Sequence, residues 1–364
     1  MHKLGLSVYP EKASYDDILA YLRLGAKYGF SRIFTCLLSV EGPKEDIMKE
    51  FGQFMTDAHD LGYEVAVDTN PEVFKHLGAT ADNLKPFADM GVDIVRLDGS
   101  FGTIGDIACT RNPYGIRIEF NGSMDQGVEL LLNQGANKDQ VTICHNFFPE
   151  RWTGLDWELF QNLNTYWKSI NLTTAAFVSS NAENTHGPWN VFCGLPTVEF
   201  IRTMPIDLQA RYYLATDNVD DIIIGNAFAT EDELKVLSEL NFQKTMLDVE
   251  EVEGLSDVEK EIIYDYSPHW DRFDHSSYIM RSSMCRLNYK NTSIPHRPCD
   301  KKMFTKGDIL IVNDNLAHYR GELEIVLQDI PNDGERNLCG RVPENELALM
   351  DLIRPGFHFG FIKK

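Results

Sequence analysis

The chain has 364 residues, 43% of them hydrophobic and 24% charged, and a formal net charge of −21; that length exceeds one ordinary core and points to two domains, while the charge argues against nucleic acid, whose phosphates it would repel. Seven cysteines, scattered and without a CxxC, suit neither a disulfide framework nor a thiolate metal site and fit a reducing compartment. The start lacks a signal-peptide core and no apolar run nears the roughly 18–20 residues of a membrane span, so a soluble cytoplasmic protein with no membrane partner is expected.

Short apolar runs alternate with amphipathic segments from the N-terminus onward, the βαβα rhythm of a parallel sheet. A strand is predicted over 3–8, then a helix from Ser14, a plausible N-cap with Asp16 and Asp17 in its first turn. Strands follow over 32–37 and 63–68, separated by a helix over 43–61 that Gly62 ends. A helical segment around 81–90 precedes a strand at 93–98, and a modest helix near 104–109 leads to a strand at 116–121. Helices are predicted over 124–133, 157–170, 195–215 and 230–240, with strands at 140–144, 174–179 and 221–225. Eight such units in about 240 residues match a (β/α)8 barrel. An open doubly wound sheet is disfavoured, because no glycine-rich phosphate loop follows the first strand.

After residue 241 the texture changes to strands at 245–253, 260–266, 277–282, 308–313, 321–328 and 358–363, with dense turn signals between them. That pattern predicts a small all-β barrel or sandwich, so the domains are drawn at 1–241 and 242–364.

In such barrels the reacting groups sit at the C-terminal strand ends and in the loops beyond. Here those ends offer Tyr9, Asp68, Asn70, Arg96, Asp98, Glu119, Asn121, His145, Asn146 and Asn181. Strand alternation sends Asp68, Arg96, Asp98, Arg117 and Glu119 to the barrel axis. Buried charges on this scale need partners, so the two arginines are expected to pair with the carboxylates. Asp98 and Glu119 are taken as a catalytic pair at the barrel mouth, with Asp68 and Glu183 as alternative members. Adjacent strands lie about 4.8 Å apart, which allows the ~5–5.5 Å carboxyl spacing of retaining glycosidases without choosing it. Tyr9, Phe147, Phe148, Trp152 and Trp189 are candidates for stacking on a sugar. His145, His186 and Asp68 have no metal-ligand spacing such as HxH or HExxH, and no GxSxG elbow or Walker loop occurs, so no metal and no cofactor is expected.

Several runs carry a family resemblance: LGLSVYPE, VDTNPEVF, VRLDGSFG, IEFNGS, CHNFFPER, AENTHGPW and HWDRFDHSSYIMRSSMCR. Together they resemble the MupG-type 6-phospho-N-acetylmuramidases. The resemblance implies a TIM-barrel glycosidase domain followed by a cyclophilin-like β-barrel. It also implies cleavage of N-acetylmuramic acid 6-phosphate β-1,4-linked to N-acetylglucosamine during cell-wall recycling. Such a phosphorylated amino-sugar disaccharide carries two anionic groups, and Arg281, Ser282 and Arg286 in the second domain, with Arg151 in the first, are expected to meet one of them. A homo-oligomer is compatible with the sequence. The rival readings are a sugar-phosphate aldolase or epimerase, which would need a lysine or metal at a strand end, and a non-catalytic sugar-phosphate binding protein.

Overall fold

Eight short strands pair in parallel, each with the next in sequence, and the last returns to the first to close a barrel. They are β1 (Lys3–Ser7), β2 (Arg32–Cys36), β3 (Glu64–Thr69), β4 (Ile94–Leu97), β5 (Arg117–Asn121), β6 (Val141–Cys144), β7 (Thr174–Val178) and β8 (Asp221–Ile224). The computed structural model describes residues 2–38 and 42–363, and the chain divides into units 1–240 and 241–364. A first family of helices wraps the barrel: α1 (Tyr15–Lys27), α2 (Lys44–Asp60), α3 (Pro71–Leu77), α4 (Lys85–Met90), α5 (Gly102–Cys109), α6 (Val128–Asn133), α7 (Trp157–Ser169), α8 (Ile206–Thr216) and α9 (Glu231–Ser238).

Local chemistry explains many of these boundaries. Ser14 accepts the Asp17 amide at the start of α1, Asp156 accepts those of Glu158 and Leu159 at α7, and Thr230 and Glu233 form a capping box at α9. Gly25 lets α1 sit on the barrel, since a Cβ there would lie 2.4 Å from Leu6 Cδ1.

The barrel interior is stacked in layers. Arg32 of β2 bonds Glu119 of β5 and Asp221 of β8; β2 and β5 are not neighbours in the sheet, so this contact crosses the interior. Further along the axis an apolar cluster contains Phe34, Cys36, Cys144, Ala175, Phe177 and Ile223. Tyr9 joins that cluster and donates to the Gly225 carbonyl at 2.6 Å.

The helix expected over 195–215 is only its second half. β6 pairs with β7 at Ile143–Thr174 and Cys144–Ala175 alone, leaving β7's upper backbone groups open on that side. Thr197 fills them: its amide donates to Phe177 O at 3.0 Å and its hydroxyl accepts the Phe177 amide at 2.9 Å. Extended pairing there excludes helix until Pro205. The segment also presses on the end of β8, where a Cβ on Gly225 would stand 2.4 Å from Leu195 O. Gly225→Ala is therefore expected to cost about 1–3 kcal/mol by overpacking, read as a lower urea midpoint; an unchanged midpoint would mean the segment yields freely.

In the C-terminal unit the strands are β9 (Thr245–Leu247), β10 (Glu250–Glu251), β11 (His269–Trp270), β12 (Ile279–Ser282), β13 (Met303–Phe304), β14 (Asp308–Val312), β15 (Leu323–Val326), β16 (Ile330–Pro331), β17 (Arg336–Arg341) and β18 (His358–Phe361). They form a five-stranded sheet in the order β10-β17-β14-β15-β12, a three-stranded sheet β11-β18-β9 and the pair β13-β16. The run predicted as a strand at 260–266 is helical instead. Ser256 and Glu259 make a capping box, and the helix of Asp257–Lys260 continues through Glu261–Asp265. Among the described residues no helix is long and apolar enough to cross a membrane.

Candidate active site

Two carboxylates and an arginine meet where β3 and β4 end. Arg96 is buried, and its Nη1 donates to Asp68 Oδ1 at 2.6 Å and lies 3.5 Å from Asp98 Oδ1. Its Nη2 donates to Asn146 Oδ1. The backbone holds each group in place. The Asp98 amide donates to Thr69 O at 2.8 Å, the Thr69 hydroxyl donates to Arg96 O at 2.8 Å, and the Asn146 amide donates to Ser123 Oγ at 2.8 Å.

The two carboxyls sit in unlike surroundings. Asp98 has a side chain 44% exposed, against 8% for Asp68. Burial pushes the Asp68 carboxyl up to about 6; Arg96 opposes the shift, and the negative charges of Asp98 and Glu119 add to it. A carboxyl whose pKa is raised toward neutrality, beside a second carboxyl open to solvent, is an arrangement that acid catalysis can use.

These polar groups open into a cavity of about 190 Å3 walled by Phe34, Leu38, Phe147, Pro149, Phe177 and Trp189. Phe147 lies edge-on to Phe34 and Phe177, and Trp189 stands 6.0 Å from it with 43% of its surface exposed. A larger cavity of about 560 Å3 shares Leu38 and is lined by Asn70, Glu72, Lys75 and His76. Asp68, Arg96 and Asp98 line the smaller cavity and not this one.

Comparison with known proteins identifies the chain. A family model described as 6-phospho-N-acetylmuramidase, N-terminal, matches residues 4–239, and its C-terminal counterpart matches residues 245–362. The chain belongs to the 6-phospho-N-acetylmuramidase family. An uncharacterized B. cereus protein of known structure is 37% identical over 100% of this chain and 99% of its own, with a TM-score of 0.91. A conserved Enterococcus faecalis protein of unknown function shares the fold, at 24% identity over 100% of this chain and 96% of its own and a TM-score of 0.71. No curated protein matches the chain. The family name makes this a glycosidase.

Within this 6-phospho-N-acetylmuramidase fold several expected site residues lie elsewhere. Glu119 is not at the mouth. It is 0% exposed and bonds Arg32 and the Thr142 hydroxyl, because β5 carries it to the depth where Arg32 crosses the barrel. Arg117 opens β5 and pairs with Glu64, which opens β3, so it lies at the opposite end of the barrel from the mouth. Tyr9 is core, not a stacking platform. Asn121 accepts the Ser123 amide and is buried, and Asn70 caps α3 through the Val73 amide. His145 is fully buried between Asn164 and Phe160, and burial holds it down at about 4. Asn181, Glu183 and Arg151 are exposed, and Asn181 donates to Met204 O. His186 packs by Tyr9 and Phe228. Ser282 is sealed in the C-terminal unit against His269, and Arg281 is half-buried on Glu322.

Arg32, Phe34, Leu38 and Phe177 carry no motif that marks them in the sequence. Arg32 shares its strand face with Phe34 and Cys36, so alternation alone could have placed it on the axis. Among the described residues, no group of three or more His, Cys, Asp or Glu gathers to hold a metal.

Proposed function

We propose that the barrel hydrolyses the β-1,4 bond of 6-phospho-N-acetylmuramyl-N-acetylglucosamine, with Asp68 as acid and Asp98 as its charged partner. The observation that carries this reading is the pair of unlike carboxyls held on one guanidinium nitrogen at the mouth. Asp68 Oδ1 takes the Arg96 bond, leaving Oδ2 to carry the proton. That proton goes to the leaving glycosidic oxygen as the C1–O bond breaks. The Asp98 carboxylate attacks C1, and water then displaces it, returning a proton to Asp68.

The spacing is compatible with retention. Asp68 Oδ1 and Asp98 Oδ1 both approach Arg96 Nη1, at 2.6 and 3.5 Å, and so lie at most about 6 Å from each other, near the ~5–5.5 Å carboxyl separation of retaining enzymes. Trp189 and Phe147 offer a wall for the sugar face. Trp189→Ala is expected to raise KM roughly tenfold through lost apolar burial, with kcat within about threefold; a loss confined to kcat would assign Trp189 a different part.

No lysine lines this cavity among the described residues, which speaks against a Schiff-base aldolase. The family name supplies the 6-phosphate and the N-acetylmuramyl group, and a cytoplasmic place in peptidoglycan recycling follows from that substrate. In the same reading the C-terminal unit is a cyclophilin-like β-barrel. Incubation of the protein with the phosphorylated disaccharide should release free N-acetylglucosamine; binding without release would favour a non-catalytic sugar-phosphate binding protein.

A further inference from the structure

Three arginines gather on one patch of the C-terminal unit. Arg281 lies in β12, Arg286 opens the short helix that follows, and Arg272 stands just after β11. Glu322, 0% exposed, takes Arg281 Nε at 2.6 Å and Arg286 Nη1 at 3.3 Å. The Tyr319 ring lies 4.9 Å from the Arg286 guanidinium carbon and 6.0 Å from that of Arg281. Arg272 donates to Ser283 Oγ at 3.1 Å and pairs with Asp274. Asp271 is occupied elsewhere, by the Arg281 amide and His275.

The bonds to Glu322 fix each guanidinium by one edge and leave the other edge free. Arg281 Nη1 and Nη2, and Arg286 Nε and Nη2, have no hydrogen-bond partner among the described residues, and both side chains remain about 30% exposed. A buried carboxylate and an aromatic ring that hold several arginines together, with N–H forks facing solvent, make a pre-oriented receptor for an oxyanion.

We propose that Arg281, Arg286 and Arg272 form a phosphate-binding site within the C-terminal unit. Its ligand is a tetrahedral phosphate, carried either by a sugar monoester or by inorganic phosphate. The sugar-monoester source rests on the glycosidase reading above, whereas the site itself rests on the contacts just described.

The test is calorimetric titration of the full chain with inorganic phosphate, N-acetylglucosamine 6-phosphate and N-acetylglucosamine. Arg286→Ala and Arg281→Lys are compared with wild type; the lysine keeps a charge over Glu322, and unfolding midpoints check that both variants fold. Wild type should bind both phosphorylated probes and not the plain sugar, and each variant should weaken phosphate binding at least tenfold. If N-acetylglucosamine 6-phosphate binds at least tenfold tighter than inorganic phosphate and Arg286→Ala weakens both, the ligand is a sugar monoester; equal affinities for the two assign the site to inorganic phosphate. Phosphate binding that is absent in wild type, or equal in wild type and folded variants, overturns the proposal. Loss of binding in the variants of a protein that releases no N-acetylglucosamine would leave this site standing and the glycosidase reading refuted.

Discussion

Asp98→Asn is expected to lower kcat on the phosphorylated disaccharide by at least about 10³, and Asp68→Asn by about 10²–10⁴. The losses should differ in kind. An amide at 98 cannot form the ester to C1, so added azide, which can attack C1 in its place, should restore product in Asp98→Asn as a glycosyl azide. An amide at 68 cannot protonate the leaving oxygen, so a substrate whose leaving group departs without a proton should recover most of its rate in Asp68→Asn. Because Arg96 holds both carboxyls and Asn146, the amide variants keep most of the local packing. The unfolding midpoint of Asp98→Asn should stay close to wild type, whereas Asp68→Asn takes the nearer anion from the buried Arg96 and is expected to cost about 1–3 kcal/mol. Near-normal kcat in both would remove these residues from the chemistry.

Arg32→Met is expected to cause the largest loss of stability, about 3–5 kcal/mol at pH 7, because it leaves buried charges without their partner. Arg32 is 1% exposed and is the cation shared by Glu119 and Asp221, themselves 0% and 4% exposed. Without it, two buried carboxylates are left with no cation to bond. Urea unfolding at pH 7 measures this; a loss under about 1 kcal/mol would show that the interior relaxes or admits water.

In wild type the raised pKa of Asp68 makes stability depend on pH. Its folded pKa, about 6, lies above the ordinary 3.8, so the folded state holds a proton through that window after the unfolded chain has lost it. Its contribution to stability therefore declines as pH rises from about 4 to 6.

Much of the barrel could be read from alternation and helix punctuation. Period-two patterning put Arg96 and Glu119 on the axis, and the contact between Arg32 and Glu119 does cross it. What alternation cannot supply is depth. Arg117 and Glu119 share one strand face, yet Arg117 stands at the strand's beginning and Glu119 is sealed in the interior. His145 was within reach of the same rule: Thr142 bonds inward to Glu119 and Cys144 belongs to the interior cluster, so the residue after Cys144 must point out to α7. In the C-terminal unit β17 is not among the expected strands: Arg-Asn-Leu-Cys-Gly-Arg sets only two apolar residues among polar ones and a glycine. Its buried Asn337 and Cys339 face Glu259, a polar interior that hydrophobic patterning cannot reveal.

The measurement that bears most directly on the central claim is the pH profile of kcat/KM for the phosphorylated disaccharide, from pH 4.5 to 8, in wild type and Asp68→Asn. With Asp68 as the acid, wild-type turnover should fall about tenfold per pH unit above roughly 6, and the residual activity of the variant should lack that limb. A wild-type profile without the fall, or the same limb persisting in the variant, would contradict the assignment.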